Sequence, residues 1–147
     1  MEISARIRNH GKTHETSVRT GATEQSLQVA AKATGKGSAV NGGEFLMLAL
    51  ATCYCNDLYR EAQRLGIPIE GVEVEASATF PGIGLAAKDI RYRAVVRSSA
   101  SDADIAELLR KLGDAMPPAA VYAIASAQNP DLGWHDVGSF TRTVTAP

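Results

Sequence analysis

A surplus of either charge is what this chain most plainly lacks: 15 Lys and Arg stand against 16 Asp and Glu, a formal net charge of -1. Neutralising phosphates takes a basic excess, so neither nucleic acid nor an anionic membrane surface is expected as a partner. Long apolar runs are missing as well. The longest, residues 45–51 (FLMLALA), falls far short of the roughly 20 residues of a membrane-spanning helix. The opening MEISARIRNH alternates polar and apolar residues, unlike a signal peptide with its basic stretch and apolar run. Only two cysteines occur, Cys53 and Cys55; so close a pair is no disulfide framework of a small secreted domain, and a reducing, cytoplasmic setting is expected. The three histidines, His10, His14 and His135, lack tight ligand spacing, so no metal and no cofactor is expected. Aromatic residues make up only 5% of the chain.

What is present suits one domain over residues 1–147 with a single core, since 45% of the chain is hydrophobic. Ile3, Ala5 and Ile7 alternate with polar residues as in a strand with one wet face. A turn at 9–12 leads to a return strand over 13–20, and a third strand is expected over 24–31. Thr34-Gly-Lys-Gly-Ser38 reads as a flexible loop; the second glycine after Lys36 and the missing upstream glycine separate it from a phosphate loop. The strongest helix spans 41–65, with Asn41 and Glu44 as a capping box, Gly66 beyond its end and Pro68 forbidding continuation. From Phe45 to Cys55 only Thr52 is polar, so burial on every side is expected, and burial between two subunits would supply the cover.

Val72, Val74, Ala76 and Ala78 alternate with Glu73, Glu75, Ser77 and Thr79, and a partner strand is expected over 90–97. Glu73 and Glu75 are expected to pair with Arg91 and Arg93 on its wet face. Ser101 then caps a helix whose apolar stripe, Ile105, Leu108, Leu109 and Leu112, ends at Gly113. A short helix over 119–128 and a last strand within 134–144 complete the chain. Strands grouped together, and not alternating with helices, argue for an α+β fold with antiparallel sheets.

The run Asn41-Gly-Gly-Glu-Phe-Leu-Met-Leu-Ala-Leu-Ala-Thr-Cys-Tyr-Cys-Asn-Asp-Leu58, followed by Leu65-Gly-Ile-Pro-Ile-Glu-Gly-Val-Glu-Val-Glu75, resembles the osmotically inducible protein C and organic hydroperoxide resistance (OsmC/Ohr) family. The resemblance implies an intertwined homodimer in which antiparallel sheets wrap two long central helices, with sites at the subunit interface. It further implies that Cys53 matches a peroxidatic cysteine. In that family a second, resolving cysteine stands before a proline at the start of a late helix; here the stretch reads Asp114-Ala-Met-Pro-Pro118, with Met116 or Pro117 in its place. An activating arginine comes from the first hairpin in the family, and spacing does not choose among Arg6, Arg8 and Arg19. Glu44 is the candidate for the family's glutamate, yet nine helical residues put it on the side opposite Cys53 and about 13 Å along the axis; the capping box explains it better.

On residues alone, Cys53 and Cys55 are small hydrophobes of a helix core. A reactive thiol needs nearby positive charge, and Asn56 and Asp57 follow Cys53 at plus three and plus four, so activation must come from another strand or another subunit. Cys55 cannot simply resolve Cys53, because two helical residues diverge by about 200°. Met116, Tyr122 and Trp134 are candidates to line an apolar pocket. The leading expectation is thiol-dependent reduction of organic hydroperoxides at Cys53, with an external thiol, or Cys55 of the other subunit, to resolve the sulfenate. The alternative is a non-catalytic dimer that binds a small apolar or lipid-like ligand at its interface; a purely structural stress protein is a third.

Overall fold

Alternation in the first 27 residues builds a meander. In a computed structural model, which describes residues 1–10, 13–83, 85–115 and 142–144, the chain forms two compact units, Met1–Phe45 and Leu46–Pro147. The first holds β1 (Ile3–His10), β2 (Thr13–Thr20) and β3 (Thr23–Leu27) in an antiparallel sheet of order β1-β2-β3. Directly opposed residues share a face. The register Ile3↔Thr20, Ala5↔Val18, Ile7↔Thr16 and Thr16↔Leu27 therefore gathers the apolar residues on one side and leaves the arginines and glutamates on the other. That polar side is tied by Arg8–Glu15 at 3.6 Å and Arg19–Glu24 at 4.0 Å. Its apolar counterpart has little cover in the single chain, where Ile3 is 66% and Ile7 54% exposed. The third strand is shorter than expected: it stops at Leu27, and Ala31 makes only an isolated bridge to Ser38 across a loop in which Gly35 and Gly37 take φ of 85° and 105°.

α1 (Gly42–Leu65) begins and ends where its flanking residues dictate. The Glu44 carboxylate accepts from the Asn41 N–H at 2.7 Å while Asn41 Oδ1 accepts from the Glu44 N–H at 3.0 Å, a closed capping box. At the other end Gly66 takes φ of 70°, and the N–H groups of Gly66 and Ile67 donate to the carbonyls of Gln63 and Ala62, which satisfies two otherwise orphaned acceptors.

β4 (Gly71–Thr79) and β5 (Lys88–Arg97) form the expected antiparallel pair, and β6 (Arg142–Val144) joins β5 in parallel. Glu75 lies opposite Arg93 as expected, but Glu73 faces Val95 and Arg91 faces Ser77, so the register aligns one of the two expected charge pairs. α2 (Asp102–Ala115) is capped by Ser101, whose Oγ accepts from the Asp104 N–H at 3.3 Å. It runs past Gly113, the expected stop, because a glycine inside a helix costs only about 1 kcal/mol and the preceding turns are anchored by the fully buried Leu108 and Leu112. The α+β class is therefore observed: among the described residues two helices accompany sheets whose pairings are antiparallel apart from β5–β6. The helix expected over 119–128 lies outside the described residues, as does most of the strand expected within 134–144. Among the described residues no helix is long and apolar enough to cross a membrane.

The core of the second unit forms where α1 presents Leu46, Leu50, Tyr54, Leu58 and Ala62, every fourth residue, together with Tyr92, Ala94 and Val96 of β5 and Ile105, Leu108 and Leu112 of α2. In the single chain one stripe is covered, whereas Leu48 is 60% and Tyr59 44% exposed; the rest of the cover is the part expected from a second subunit. Leu58→Ala should lower the unfolding free energy by about 2–5 kcal/mol and Asn41→Ala by about 1 kcal/mol. Urea denaturation followed by circular dichroism measures both, and equal losses would contradict this division between core and cap.

Candidate active site

The period of α1 decides what surrounds its two thiols. Tyr54 belongs to the buried stripe, so Cys53, about 100° away, emerges on the exposed side, and Cys55 is half-buried on the other flank. Among the described residues no hydrogen bond or ion pair engages the Cys53 sulfur. Asp57, one turn further on, is bound by Arg60 at 2.7 Å.

The next residue along α1 belongs to a tyrosine pair. The Tyr54 ring stacks on that of Tyr92, with centroids 5.5 Å apart and an interplanar angle of 24°. Tyr92 comes from the core-facing side of β5 and is 9% exposed, and among the described residues its buried hydroxyl has no hydrogen-bond partner. Burial first, and then the negative charges that Cys53 and Tyr54 can carry, push its pKa from 10.0 up to about 12. Cys53 and Tyr92 thus share one electrostatic neighbourhood, in which the phenol keeps its proton.

The other sequence candidates are otherwise occupied. Arg8 and Arg19 are held by glutamates of their own sheet. Arg6 lines a polar recess of about 360 Å³ with Arg8, His14, Glu15 and Glu24, and His14 Nδ1 lies 2.9 Å from Asn9 Oδ1. Glu44 closes the capping box, as expected of it. Met116, Tyr122 and Trp134 lie outside the described residues. Sequence reasoning passed over Tyr92, although its place in the apolar series Ile90, Tyr92, Ala94, Val96 was a signal: a tyrosine among inward residues carries a hydroxyl that needs a partner. Among the described residues no group of His, Cys, Asp and Glu is placed to hold a metal ion.

A family model described as OsmC-like protein matches residues 35–125. The chain belongs to the OsmC-like family. The matched stretch contains α1, β4, β5 and α2, and with them Cys53 and Tyr92. Among solved structures, the OsmC-like protein of Mycoplasma pneumoniae is 17% identical, with a TM-score of 0.59, covering 99% of this chain and 95% of its own. An organic hydroperoxide resistance protein OsmC from Legionella pneumophila is 15% identical with a TM-score of 0.54, covering 99% and 96%. An organic hydroperoxide resistance protein from Elizabethkingia anophelis is 12% identical with a TM-score of 0.51, covering 99% and 95%. At these identities the likeness is one of fold. No curated protein matches the sequence.

The Tyr92 environment of this OsmC-like protein gives its stability a signed pH dependence. A folded-state pKa above the ordinary 10.0 means that folding disfavours the phenolate, so this contribution is intact below about pH 10 and is lost as pH rises toward 12. Thermal melting between pH 9 and 12 should show a fall in Tm that Tyr92→Phe reduces. An identical fall in the variant would remove Tyr92 as its source.

Proposed function

We propose that this OsmC-like protein reduces organic hydroperoxides with Cys53 as its only obligatory thiol, in a homodimer whose second copy completes the site. The observation that carries the reading is the Cys53 thiol itself, which α1 leaves exposed beside its buried stripe, with no hydrogen bond or ion pair on its sulfur among the described residues. The Cys53 thiolate attacks the outer peroxide oxygen; the S–O bond forms as the O–O bond breaks, and the alkoxide leaves with the electron pair and takes a proton to become the alcohol. Sulfur is oxidised to sulfenic acid while the peroxide is reduced. An external thiol then condenses with the sulfenic acid, releasing water, and a second thiol displaces the mixed disulfide to restore Cys53. This cycle needs no resolving cysteine, in keeping with Met116-Pro117 where the family carries one.

Two apolar surfaces favour the dimer: the Leu48 side of α1 and the Ile3–Ile7 side of β1, both exposed in the single chain. Surfaces of this kind on a folded chain mark contact sites. A second copy would also bring the cation that a thiolate requires. The pairing of Arg8 and Arg19 with glutamates favours a second reading, in which the dimer holds a small apolar ligand without chemistry.

Titration with cumene hydroperoxide in the presence of a sulfenate trap separates the two. Label is expected on Cys53 in wild type and in Cys55→Ser, and none at that site in Cys53→Ser. Absence of label at Cys53 throughout pH 6–9 would sink the peroxidase reading in favour of ligand binding. For the assembly, light scattering should give a dimer for wild type and a folded monomer for Leu48→Lys; a wild-type monomer at high concentration would contradict the shared site.

A further inference from the structure

Stacking accounts for the Tyr92 ring but not for its hydroxyl. A phenylalanine at this position would make the same 5.5 Å stack on Tyr54 without burying a polar atom. Instead β5 places a phenol in the core, nine-tenths buried, and leaves its oxygen without a partner among the described residues. A buried donor left unpaired costs free energy, and native proteins retain few of them. The ring it stacks on belongs to the residue adjoining Cys53, and the Cys53 charge reaches the phenol.

We propose that Tyr92 is a positioning residue of the thiol site: its hydroxyl, unpaired while Cys53 is reduced, donates a hydrogen bond to the oxygen that arrives on the Cys53 sulfur. The proposal rests on the reading of Cys53 as the reactive thiol. In the reduced protein the Cys53 sulfur is only a weak acceptor. When the thiolate takes the outer peroxide oxygen and the alkoxide leaves as the alcohol by accepting the sulfenic proton, Cys53 carries a sulfenate oxygen, a charged acceptor of the kind that makes short, strong hydrogen bonds. A phenol whose pKa is pushed up to about 12 remains a donor through the whole working pH range and does not surrender its proton to the product. The unpaired hydroxyl thus stores a donor that oxidation calls into use, and it holds the sulfenate until the external thiol arrives.

Tyr92→Phe in a Cys55→Ser background, beside Cys55→Ser alone, tests this. Each protein is oxidised with one equivalent of cumene hydroperoxide without thiol; intact mass follows the gain of one oxygen on Cys53, and thermal melting is recorded before and after. Removing the unpaired hydroxyl should raise the Tm of the reduced protein, or at the least not lower it. Oxidation should raise the Tm only where Tyr92 is present, and the sulfenate should disappear about tenfold faster in Tyr92→Phe, the scale of one hydrogen bond to a charged acceptor. Equal sulfenate lifetimes, or equal losses of Tm in reduced and oxidised forms, would overturn the role of Tyr92 and leave the peroxidase reading standing. No oxygen gain in Cys55→Ser alone would overturn the peroxidase reading and this proposal with it. Should Tyr92→Phe not fold, the tyrosine absorption of Cys55→Ser protein decides: a red shift on oxidation is expected, and an unchanged spectrum overturns the proposal.

Discussion

Everything in the second unit depends on the one-sided burial of α1. Leu46, Leu50, Tyr54, Leu58 and Ala62 recur every fourth residue and seat the helix against β5 and α2. A stripe of that period covers only part of a helix surface, so the same packing that builds the core exposes Leu48, Cys53 and Tyr59. Had the buried stripe been shifted by one residue, Cys53 would sit where Tyr54 does, sealed against the sheet. The position of the thiol on the helix is thus set by hydrophobic packing before any chemistry is considered.

Local rules were legible where one residue decides them. Asn41, Glu44 and Gly66 ended α1 as read, since caps and left-handed glycines act within a turn. The alternation of β1, β2, β4 and β5 was equally plain, because a strand with one polar face writes its period directly into the chain. What could not be read depends on partners distant in sequence. The run from Phe45 to Cys55 is apolar on all sides, and composition does not say which side meets the sheet. Glu73 lies opposite Val95 and not an arginine because register is set by the whole β4–β5 pairing, including its irregularity between Ser77 and Thr79. β3 ends early because Gly35 and Gly37 turn the following segment back on itself.

At the candidate site the place of Cys53 on α1 was legible in the sequence and its surroundings were not. Cys53 stood out by its place in the quoted motif, whereas the roles of Arg8 and Arg19 turned on which glutamate lay across the strand, a matter of register. Tyr92 was hidden by the opposite difficulty: within a strand its ring is ordinary, and only its burial beside Tyr54 makes the hydroxyl conspicuous. Family membership assigns the fold.

Within its own chain Cys53 is exposed and shares an electrostatic neighbourhood with a protonated phenol, but no cation engages its sulfur among the described residues. The proposed second copy answers that deficit by supplying the cation. The most direct measurement is the rate constant for the reaction of Cys53 with cumene hydroperoxide, taken in wild-type protein across the concentrations over which monomer gives way to dimer. If the second copy completes the site, the rate constant rises in proportion to the dimeric fraction; the same rate constant in monomer and dimer would contradict it.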